Sequence, residues 1–378
     1  MPGVAEILDK ALEGERISDQ EALTLLESKS LVPIGKVADE LRARRTDSGR
    51  ITFIIDRNLN YTNVCVTDCD FCAFYRRPGD RAEGYLLPKA VIFKKVEETL
   101  AIGGTGVLMQ GGHHPDLGID YYEDLFKSLK ERYPIHLHAL SPPEVQHIAR
   151  RSKLTVPATL TRLRDAGLDS IPGGGAEILS DRVRKIIGIA KGSTSEWLEV
   201  METAHKLGMR TTATMMFGHV ETLEERIDHL LHLRELQDRT SGFTAFIAWT
   251  FQPSNTALAG EELTSFQYLR TLAVARVMLD NFPSVQASWV TQGSKIGQLS
   301  LRFGANDFGS LMIEENVVSA AGAHFRLTEA EIARAIQDAG FVPKRRTMDY
   351  QIVGDPYCWS HETPTLPGGH AEATSIAS

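Results

Sequence analysis

The chain has few cysteines and no long apolar run. Of its 378 residues only four are cysteine, Cys65, Cys69, Cys72 and Cys358, too few and too widely spread for the disulfide framework of a small secreted domain. No apolar stretch approaches the roughly 18 residues of a membrane span. The amino terminus also lacks the basic start and apolar run of a signal peptide. We therefore expect a cytoplasmic protein that does not interact with a membrane.

An excess of basic residues is missing as well. With 41 Lys and Arg against 49 Asp and Glu, the formal net charge is −8. A general nucleic-acid-binding protein needs a basic surface to neutralise phosphates, so nucleic acid is not expected as a partner. The hydrophobic fraction of 42% and the charged fraction of 24% are typical of a globular protein with a sizeable core.

Short β-branched runs alternate with segments of helical periodicity. Residues 1–50 have a helical pattern, and 51–55 is a predicted strand that leads into a loop rich in cysteine. Further strands are predicted at 106–109, 135–140, 170–172, 211–217 and 243–251, with helices between them. Such alternation predicts βαβ units and a parallel sheet. At least six units favour a full or partial TIM-type (βα) barrel, with an open doubly wound sheet as the alternative.

The same pattern predicts how the chain is divided. We expect an N-terminal helical extension at 1–50, a barrel core at 51–285 and a C-terminal closing region at 286–350. A tail at 360–378 is predicted to be disordered, because Pro, Gly, Ser and Thr dominate it.

Three of the cysteines lie within eight residues, in the spacing C-x3-C-x2-C. Cys65, Cys69 and Cys72 could each bind one iron of a four-iron cluster, which leaves the fourth iron without a protein ligand. Catalysis at a cluster needs such an open iron. A cluster that only transfers electrons has four cysteine ligands and lacks one.

Two other interpretations of these cysteines remain open. They could hold a structural zinc ion, with His113, His114 or Cys358 as the fourth ligand, or they could be small buried hydrophobic residues. The spacing favours the cluster, because zinc sites usually pair two short cysteine hooks and no second hook occurs in this chain.

The cysteine loop, with Phe71 before the third cysteine, resembles the signature of the radical S-adenosylmethionine (SAM) superfamily. Similarity to one branch of that superfamily extends over about residues 50–350, in stretches at 60–63, 72–80, 109–115, 171–179, 211–222, 249–253 and 304–309. This branch contains the futalosine-pathway enzymes of menaquinone synthesis and the deazaflavin (F0) synthases. The run 68–80 most resembles the dehypoxanthine futalosine cyclases.

The resemblance implies a radical SAM enzyme, an oxidoreductase that uses a [4Fe-4S] cluster and SAM. The implied reaction is the oxidative cyclisation of a small molecule, dehypoxanthine futalosine: hydrogen is abstracted from C4′ of the ribose, and the carbon radical attacks the benzoate ring. A flavodoxin or ferredoxin-type electron donor is implied as a partner. The alternatives are aminofutalosine synthase or F0 synthase chemistry, or a non-catalytic zinc or electron-transfer protein that would not cleave SAM.

The resemblance also implies site residues. It makes Cys65, Cys69 and Cys72 the cluster ligands. The implied SAM contacts are Phe71, Gln110, Gly111, Gly112, Glu177, Arg184 and Gly218. The superfamily's usual Gly-Gly-Glu is replaced here by 111–113, Gly-Gly-His, so Gln110 or backbone carbonyls are the candidates to meet the SAM amino group.

Several of these assignments have a structural alternative. Glu177 could accept hydrogen bonds from the SAM ribose or amino group, and the Arg184 guanidinium could pair with the SAM carboxylate or belong to a surface ion pair. The catalytic residues are not assigned. His113 and His114 are candidates, because histidine can shuttle a proton near neutral pH. Asn306 and Asp307 could hold sugar hydroxyls or form a turn.

Overall fold

The computed structural model of this chain describes residues 2–47, 49–188 and 192–354. Cys358 and the predicted tail at 360–378 lie outside the described residues. Three helices precede the sheet, as the pattern of residues 1–50 predicts: α1 (Val4–Leu12), α2 (Asp19–Glu27) and α3 (Leu31–Arg45).

Strands and helices then alternate as predicted. The strands are β1 (Arg50–Ile54), β2 (Asp56–Asn60), β3 (Gly106–Gln110), β4 (His136–Ala139), β5 (Ser170–Ile171), β6 (Arg210–Phe217), β7 (Phe243–Thr250), β8 (Ser284–Gln286), β9 (Asp307–Ser310) and β10 (Val342–Arg345). The helices that follow α3 are α4 (Lys89–Ala101), α5 (Ile119–Arg132), α6 (Pro142–Ser152), α7 (Val156–Asp165), α8 (Asp181–Ile187), α9 (Thr194–Lys206), α10 (Leu223–Thr240), α11 (Ser265–Met278), α12 (Trp289–Ser300), α13 (Val317–Ala320) and α14 (Glu329–Asp338).

The strands pair in parallel, in the order β10-β1-β9-β8-β7-β6-β5-β4-β3-β2. β1 pairs with β9 and β10, whereas β2, which follows β1 after a single residue, pairs with β3. One continuous segment, 50–60, therefore supplies strands near both ends of the series. The sheet curls into a partial TIM-type (βα) barrel, one of the two forms predicted. The open doubly wound sheet is not the arrangement of this chain.

The single predicted strand at 51–55 is corrected to two strands. The apolar pattern does not reveal β2, because its sequence, Asp-Arg-Asn-Leu-Asn, is almost entirely polar although every residue is buried. Burial is possible because the Arg57 guanidinium donates hydrogen bonds to Thr99, Glu98 and Glu314 at 3.0–3.1 Å. β8, β9 and β10, of three or four residues each, are also absent from the predicted strands.

Helices cover the outside of the barrel, and their apolar faces pack on the sheet in one hydrophobic core. Each fully buried Leu, Ile, Val or Phe stabilises the fold by about 1.5–3 kcal/mol. None of the described helices is both long and apolar enough to cross a bilayer. Because neighbouring strands run in parallel, their carboxyl ends meet at one end of the barrel, where the loops that follow them come together.

Candidate active site

A cavity of about 440 Å³ lies at the carboxyl ends of the strands. Its wall is formed by loops that follow different strands of the sheet. The predicted site residues that line it are Cys65, Phe71, Cys69, Cys72, Gln110, Gly111, Gly112, His113 and Glu177. The barrel thus brings together most of the residues that resemblance had implied, from segments more than a hundred residues apart.

The cysteine loop is held by its own backbone. The Cys65 N–H donates to the Arg76 carbonyl at 2.9 Å and the Cys72 N–H to the Cys69 carbonyl at 3.1 Å. The Thr67 N–H points at the Cys65 sulfur, 3.4 Å away. Hydrogen bonds to sulfur are one of the protein's means of tuning the potential of an iron–sulfur cluster.

The donor set and its placement fit a four-iron cluster. Three thiols on one short loop line one wall of the cavity, and each can bind a different iron. In residues 2–47, 49–188 and 192–354, no three His, Cys, Asp or Glu side chains converge to share a single metal ion. A cluster does not require such convergence, since its irons are separate.

Two glycines allow β3 to approach the cysteine loop. A Cβ added to Gly112 would lie 2.3 Å from the Val64 carbonyl oxygen, and one added to Gly111 would lie 2.6 Å from the Tyr61 ring. Both distances are shorter than any tolerable contact, so only glycine fits at these positions. The Gly112 N–H donates to the Thr62 carbonyl at 2.9 Å, which holds the two loops together.

Glu144 lines the same cavity and was not predicted from the sequence. It is 3% exposed, and burial raises the pKa of its carboxyl to about 7. Its carboxylate accepts hydrogen bonds from the Gly111 N–H at 3.0 Å and the Tyr61 hydroxyl at 2.8 Å. The one sequence signal is the Ser-Pro-Pro-Glu run at 141–144, a capping box that marks the start of α6. It does not reveal the contact with Gly111.

The two candidate histidines have different surroundings. His113 lines the cavity, and its Nδ1 is hydrogen-bonded to the Thr67 hydroxyl at 2.7 Å. Its ring stacks on that of His147, with the centroids 5.1 Å apart. His114 does not line the cavity; its Nδ1 accepts the Asp116 N–H at 3.2 Å, and burial lowers the pKa of its imidazole.

Glu177 ends the glycine-rich loop that follows β5, and it is buried against the cavity. Its φ of +40° is in the left-handed region, which costs a residue with a side chain about 1–3 kcal/mol and recurs at functional sites. The Glu177 carbonyl accepts the Met216 N–H at 3.1 Å, which fixes this backbone turn to β6.

Arg184 and Gly218 lie outside the cavity wall. The Arg184 guanidinium donates to the carbonyls of Gly175, Ala176 and Gly192 at 2.8–3.0 Å, and burial lowers its pKa. It therefore holds the glycine-rich loop from behind, and it is not the surface ion-pair residue of the alternative interpretation. The Gly218 N–H donates to the Glu221 carboxylate at 2.6 Å.

Asn306 and Asp307 are likewise committed to the fold. The Asn306 side-chain oxygen, Oδ1, accepts a hydrogen bond from Arg276 at 2.6 Å, and the buried Asp307 carboxylate pairs with Arg346 at 2.5 and 2.9 Å. Of the two alternatives, a structural role is the one that their contacts favour.

The barrel interior adds two titratable groups to the cavity wall. Burial raises the pKa of the Asp56 carboxyl to about 6, and the Ser310 hydroxyl donates a hydrogen bond to it. Burial lowers the pKa of His138 to about 3, and its Nδ1 is hydrogen-bonded to the Ser170 hydroxyl at 2.6 Å. Asp56 begins β2 and His138 lies on β4.

Solved structures share the architecture. A structure of the FeFe-hydrogenase maturase from Carboxydothermus hydrogenoformans superposes with a TM-score of 0.69 at 17% identity, covering 92% of this chain and 80% of that one. The structure of a methylornithine synthase gives a TM-score of 0.68 at 19% identity, covering 90% and 97%. At these identities the similarity shows the fold alone.

Sequence comparison is more specific. Residues 59–233 match the radical SAM superfamily, and residues 240–358 match the "CofH/MqnC C-terminal region". The cyclic dehypoxanthine futalosine synthase of Halalkalibacterium halodurans is 48% identical over 92% of this chain and 94% of its own length. The enzyme of the same name from Streptomyces coelicolor is 49% identical over 91% and 88%.

A relative with another name is more distant. The aminodeoxyfutalosine synthase of Thermus thermophilus is 40% identical over 93% of this chain and 96% of its own length. Members of the radical SAM superfamily use a [4Fe-4S] cluster and SAM, and the cysteine loop and cavity wall fit both. The chain belongs to the radical SAM superfamily and, within it, to the family of the cyclic dehypoxanthine futalosine synthases.

Proposed function

We propose that this chain is a radical SAM cyclase that converts dehypoxanthine futalosine to cyclic dehypoxanthine futalosine in menaquinone biosynthesis. The observation that carries the proposal is the 48–49% identity, over 349 residues, to two relatives named for that product. The relative named for aminodeoxyfutalosine is 40% identical. A cytoplasmic location, and the division of the chain at 50 and 285, belong to this proposal as predictions.

In the proposed enzyme, Cys65, Cys69 and Cys72 hold the cluster. The SAM site is formed by Phe71 and Glu177 together with the segment 110–112, all of which line the cavity beside the cysteines. When bound, the reduced cluster and SAM supply a 5′-deoxyadenosyl radical. The chain itself binds, orients and shields these groups.

Arg184 and Gly218 contribute to this site indirectly. Arg184 fixes carbonyls of the glycine-rich loop, so that Glu177 at the end of the loop keeps its position at the cavity. Gly218 belongs to the turn after β6, whose N–H groups are held by Glu221. We infer that both act by positioning backbone and do not contact SAM.

The wall on the side of β7 to β9 suits the substrate. Its large apolar side chains, Ile247, Trp249, Trp289 and Met312, can enclose a benzoate ring and exclude water. The Trp289 indole N–H donates to the Ser310 carbonyl at 3.1 Å, which fixes its ring. A radical step needs such a wall, because loose side chains would offer competing hydrogen atoms.

His113 is the better placed of the two candidate histidines for contact with a bound molecule, because it lines the cavity and His114 does not. Its hydrogen bond to Thr67 ties it to the cysteine loop. The physiological reductant in this proposal is a flavodoxin or ferredoxin-type protein. Its test is whether such a protein replaces a chemical reductant in turnover.

The deciding experiment uses substrate with deuterium at C4′ of the ribose. Anaerobically reconstituted protein is incubated with SAM, reductant and the labelled dehypoxanthine futalosine, and the products are analysed by mass spectrometry. We expect a cyclised product and deuterium in 5′-deoxyadenosine. Unlabelled 5′-deoxyadenosine would exclude abstraction at C4′.

A parallel incubation tests the sibling reactions. Aminofutalosine synthase adds the adenosyl group to an enolpyruvyl benzoate, and an F0 synthase needs tyrosine or a diaminouracil. Turnover of one of these substrates, with none of dehypoxanthine futalosine, would transfer the assignment to the sibling while leaving the fold and cysteine ligands unchanged.

A further inference from the structure

One buried carboxylate joins the ends of three neighbouring strands. Oε1 of Glu144 accepts hydrogen bonds from the Gly111 N–H at 3.0 Å and the Tyr61 hydroxyl at 2.8 Å. Oε2 accepts from the Ser141 N–H and hydroxyl, both at 2.7 Å. Tyr61 follows β2, Gly111 follows β3, and Ser141 lies in the turn after β4. The four donors thus come from the part of the barrel that carries the proposed SAM site.

This arrangement exceeds what helix capping requires. A matched case is α14, where Oε2 of Glu331 accepts from the N–H and hydroxyl of Thr328 at 2.7 and 2.8 Å. Glu331 is exposed, and no hydrogen bond to its other oxygen is seen among the described residues. In Glu144 the corresponding oxygen, Oε2, caps α6 by accepting from Ser141. The other oxygen, Oε1, accepts from Gly111 and Tyr61.

The contact with Gly111 has a consequence for the neighbouring carbonyl. The peptide unit between Gln110 and Gly111 is planar and trans, so its N–H and C=O point in opposite directions. Because the Gly111 N–H points at Glu144, the Gln110 carbonyl points to the opposite side of the peptide. There it accepts a hydrogen bond from the Asn60 side-chain amide at 3.2 Å. Gln110 and Gly111 both line the cavity.

We propose that Glu144 is a positioning residue for SAM: its second carboxylate oxygen fixes the peptide between Gln110 and Gly111 in the orientation that binds the cofactor. The inference rests on the proposed SAM site. It assigns a task to a residue outside the cysteine loop and outside the Gly-Gly segment. Burial raises the pKa of the Glu144 carboxyl, and the hydrogen bonds from Ser141, Gly111 and Tyr61 oppose that rise.

The test is Glu144→Gln, which preserves size and removes the charge. The glutamine oxygen can still cap α6 through Ser141, but its NH2 group then faces the Gly111 N–H, where an acceptor is required. We expect the dissociation constant for SAM to rise about ten- to a hundredfold. The KM for the second substrate and the cluster content are expected to change little.

Matched variants separate positioning from folding. Glu331→Gln alters the equivalent capping box and should leave SAM affinity unchanged. Glu144→Asp keeps the charge but is one methylene too short to span Ser141 and Gly111, so it should also weaken SAM binding; it serves as the second variant if Glu144→Gln does not fold. Binding is measured by equilibrium dialysis on anaerobically reconstituted protein, with iron content determined in parallel.

The outcomes are distinct. If Glu144→Gln and Glu144→Asp keep normal cluster content and bind SAM like the unaltered protein, the positioning role is wrong. If SAM affinity falls only in proportion to folded protein, the residue is merely structural and the inference is overturned. If the unaltered protein itself does not bind SAM, the proposed function fails, and this inference fails with it.

Discussion

The two sides of the cavity are built differently. On the side of β2 to β5 the wall consists of short loops whose backbone is held by buried side chains, as Glu144 holds Gly111 and Arg184 holds the loop before Glu177. On the side of β7 to β9 it consists of large side chains such as Trp249 and Trp289. Backbone groups fixed from behind present one unvarying surface, whereas a wall of side chains changes with the residues that form it.

The two sides of the cavity lie in segments that match two different protein families. The match to the radical SAM superfamily spans 59–233, which contains the side of β2 to β5, here called the backbone-built side. The match to the CofH/MqnC C-terminal region begins at 240 and contains the side of β7 to β9, here called the side-chain-built side. We infer that the first side binds the common cofactors and the second selects the substrate. The predictions below would break or sharpen that division.

The largest effect is expected from the cluster ligands. Replacing Cys65, Cys69 or Cys72 by Ala removes the thiolate of one iron and should abolish SAM cleavage, measured as 5′-deoxyadenosine, together with the brown colour of the protein. Cys358→Ala is the control and should retain both. Loss of the cluster in Cys358→Ala would mean that the fourth iron is not open.

A smaller effect is expected at Glu177. Glu177→Gln removes a charged acceptor from the backbone-built side, and a charge-assisted hydrogen bond contributes about 1.5–3 kcal/mol, or about ten- to a hundredfold in SAM affinity. The exposed Glu199→Gln on α9 serves as control. An unchanged dissociation constant for SAM would assign Glu177 to the fold alone.

Low pH should lower the free energy of unfolding through His229, which holds the backbone just after the glycine-rich loop. Burial lowers the pKa of His229 to about 3, and its Nδ1 accepts the Leu179 N–H at 3.0 Å. The unfolded chain takes up this proton near pH 6.5 and the folded chain resists it, so stability is complete above pH 6.5 and is lost as pH falls towards 3. At pH 5 the loss is about 2 kcal/mol for this residue.

The measurement for His229 is the free energy of unfolding against pH, from 5 to 8. His229→Gln should flatten the curve below pH 6.5, whatever its effect on absolute stability. The slope near pH 8 is the internal control, since His229 binds almost no proton there in either state. An equally steep fall in the variant below pH 6.5 would contradict the prediction.

The smallest effect is expected on the side-chain-built side. Trp249→Leu removes an aromatic face from the cavity, and an aromatic pair contributes about 0.5–1.5 kcal/mol beyond burial, which corresponds to about two- to tenfold in substrate KM. The dissociation constant for SAM, measured on the same variant, should stay within twofold. A comparable change in both constants would show that the two sides are not separate.

Much of the fold could be predicted from the sequence, because helix and strand periods are local properties. The alternation along 88–281 and the barrel class followed from it, and the capping box at Ser18 and Glu21 forms as its spacing predicts. β2 could not be predicted, because its polar residues are buried only through partners such as Glu314, more than 250 residues away. The cysteine spacing likewise carried the cluster interpretation without any tertiary information.

What only the tertiary structure decided is which groups meet around the cavity. Arg184 reads as a surface or cofactor-binding cation in the sequence, whereas in the structure its Nη1 donates to two carbonyls of the glycine-rich loop. Glu144 reads as a helix cap, yet it reaches Gly111, 33 residues earlier. Local sequence determines the period of an element and the chemistry of a loop. Hydrogen bonds between loops depend on how the strands align in the curled sheet, and no short stretch of sequence encodes that alignment.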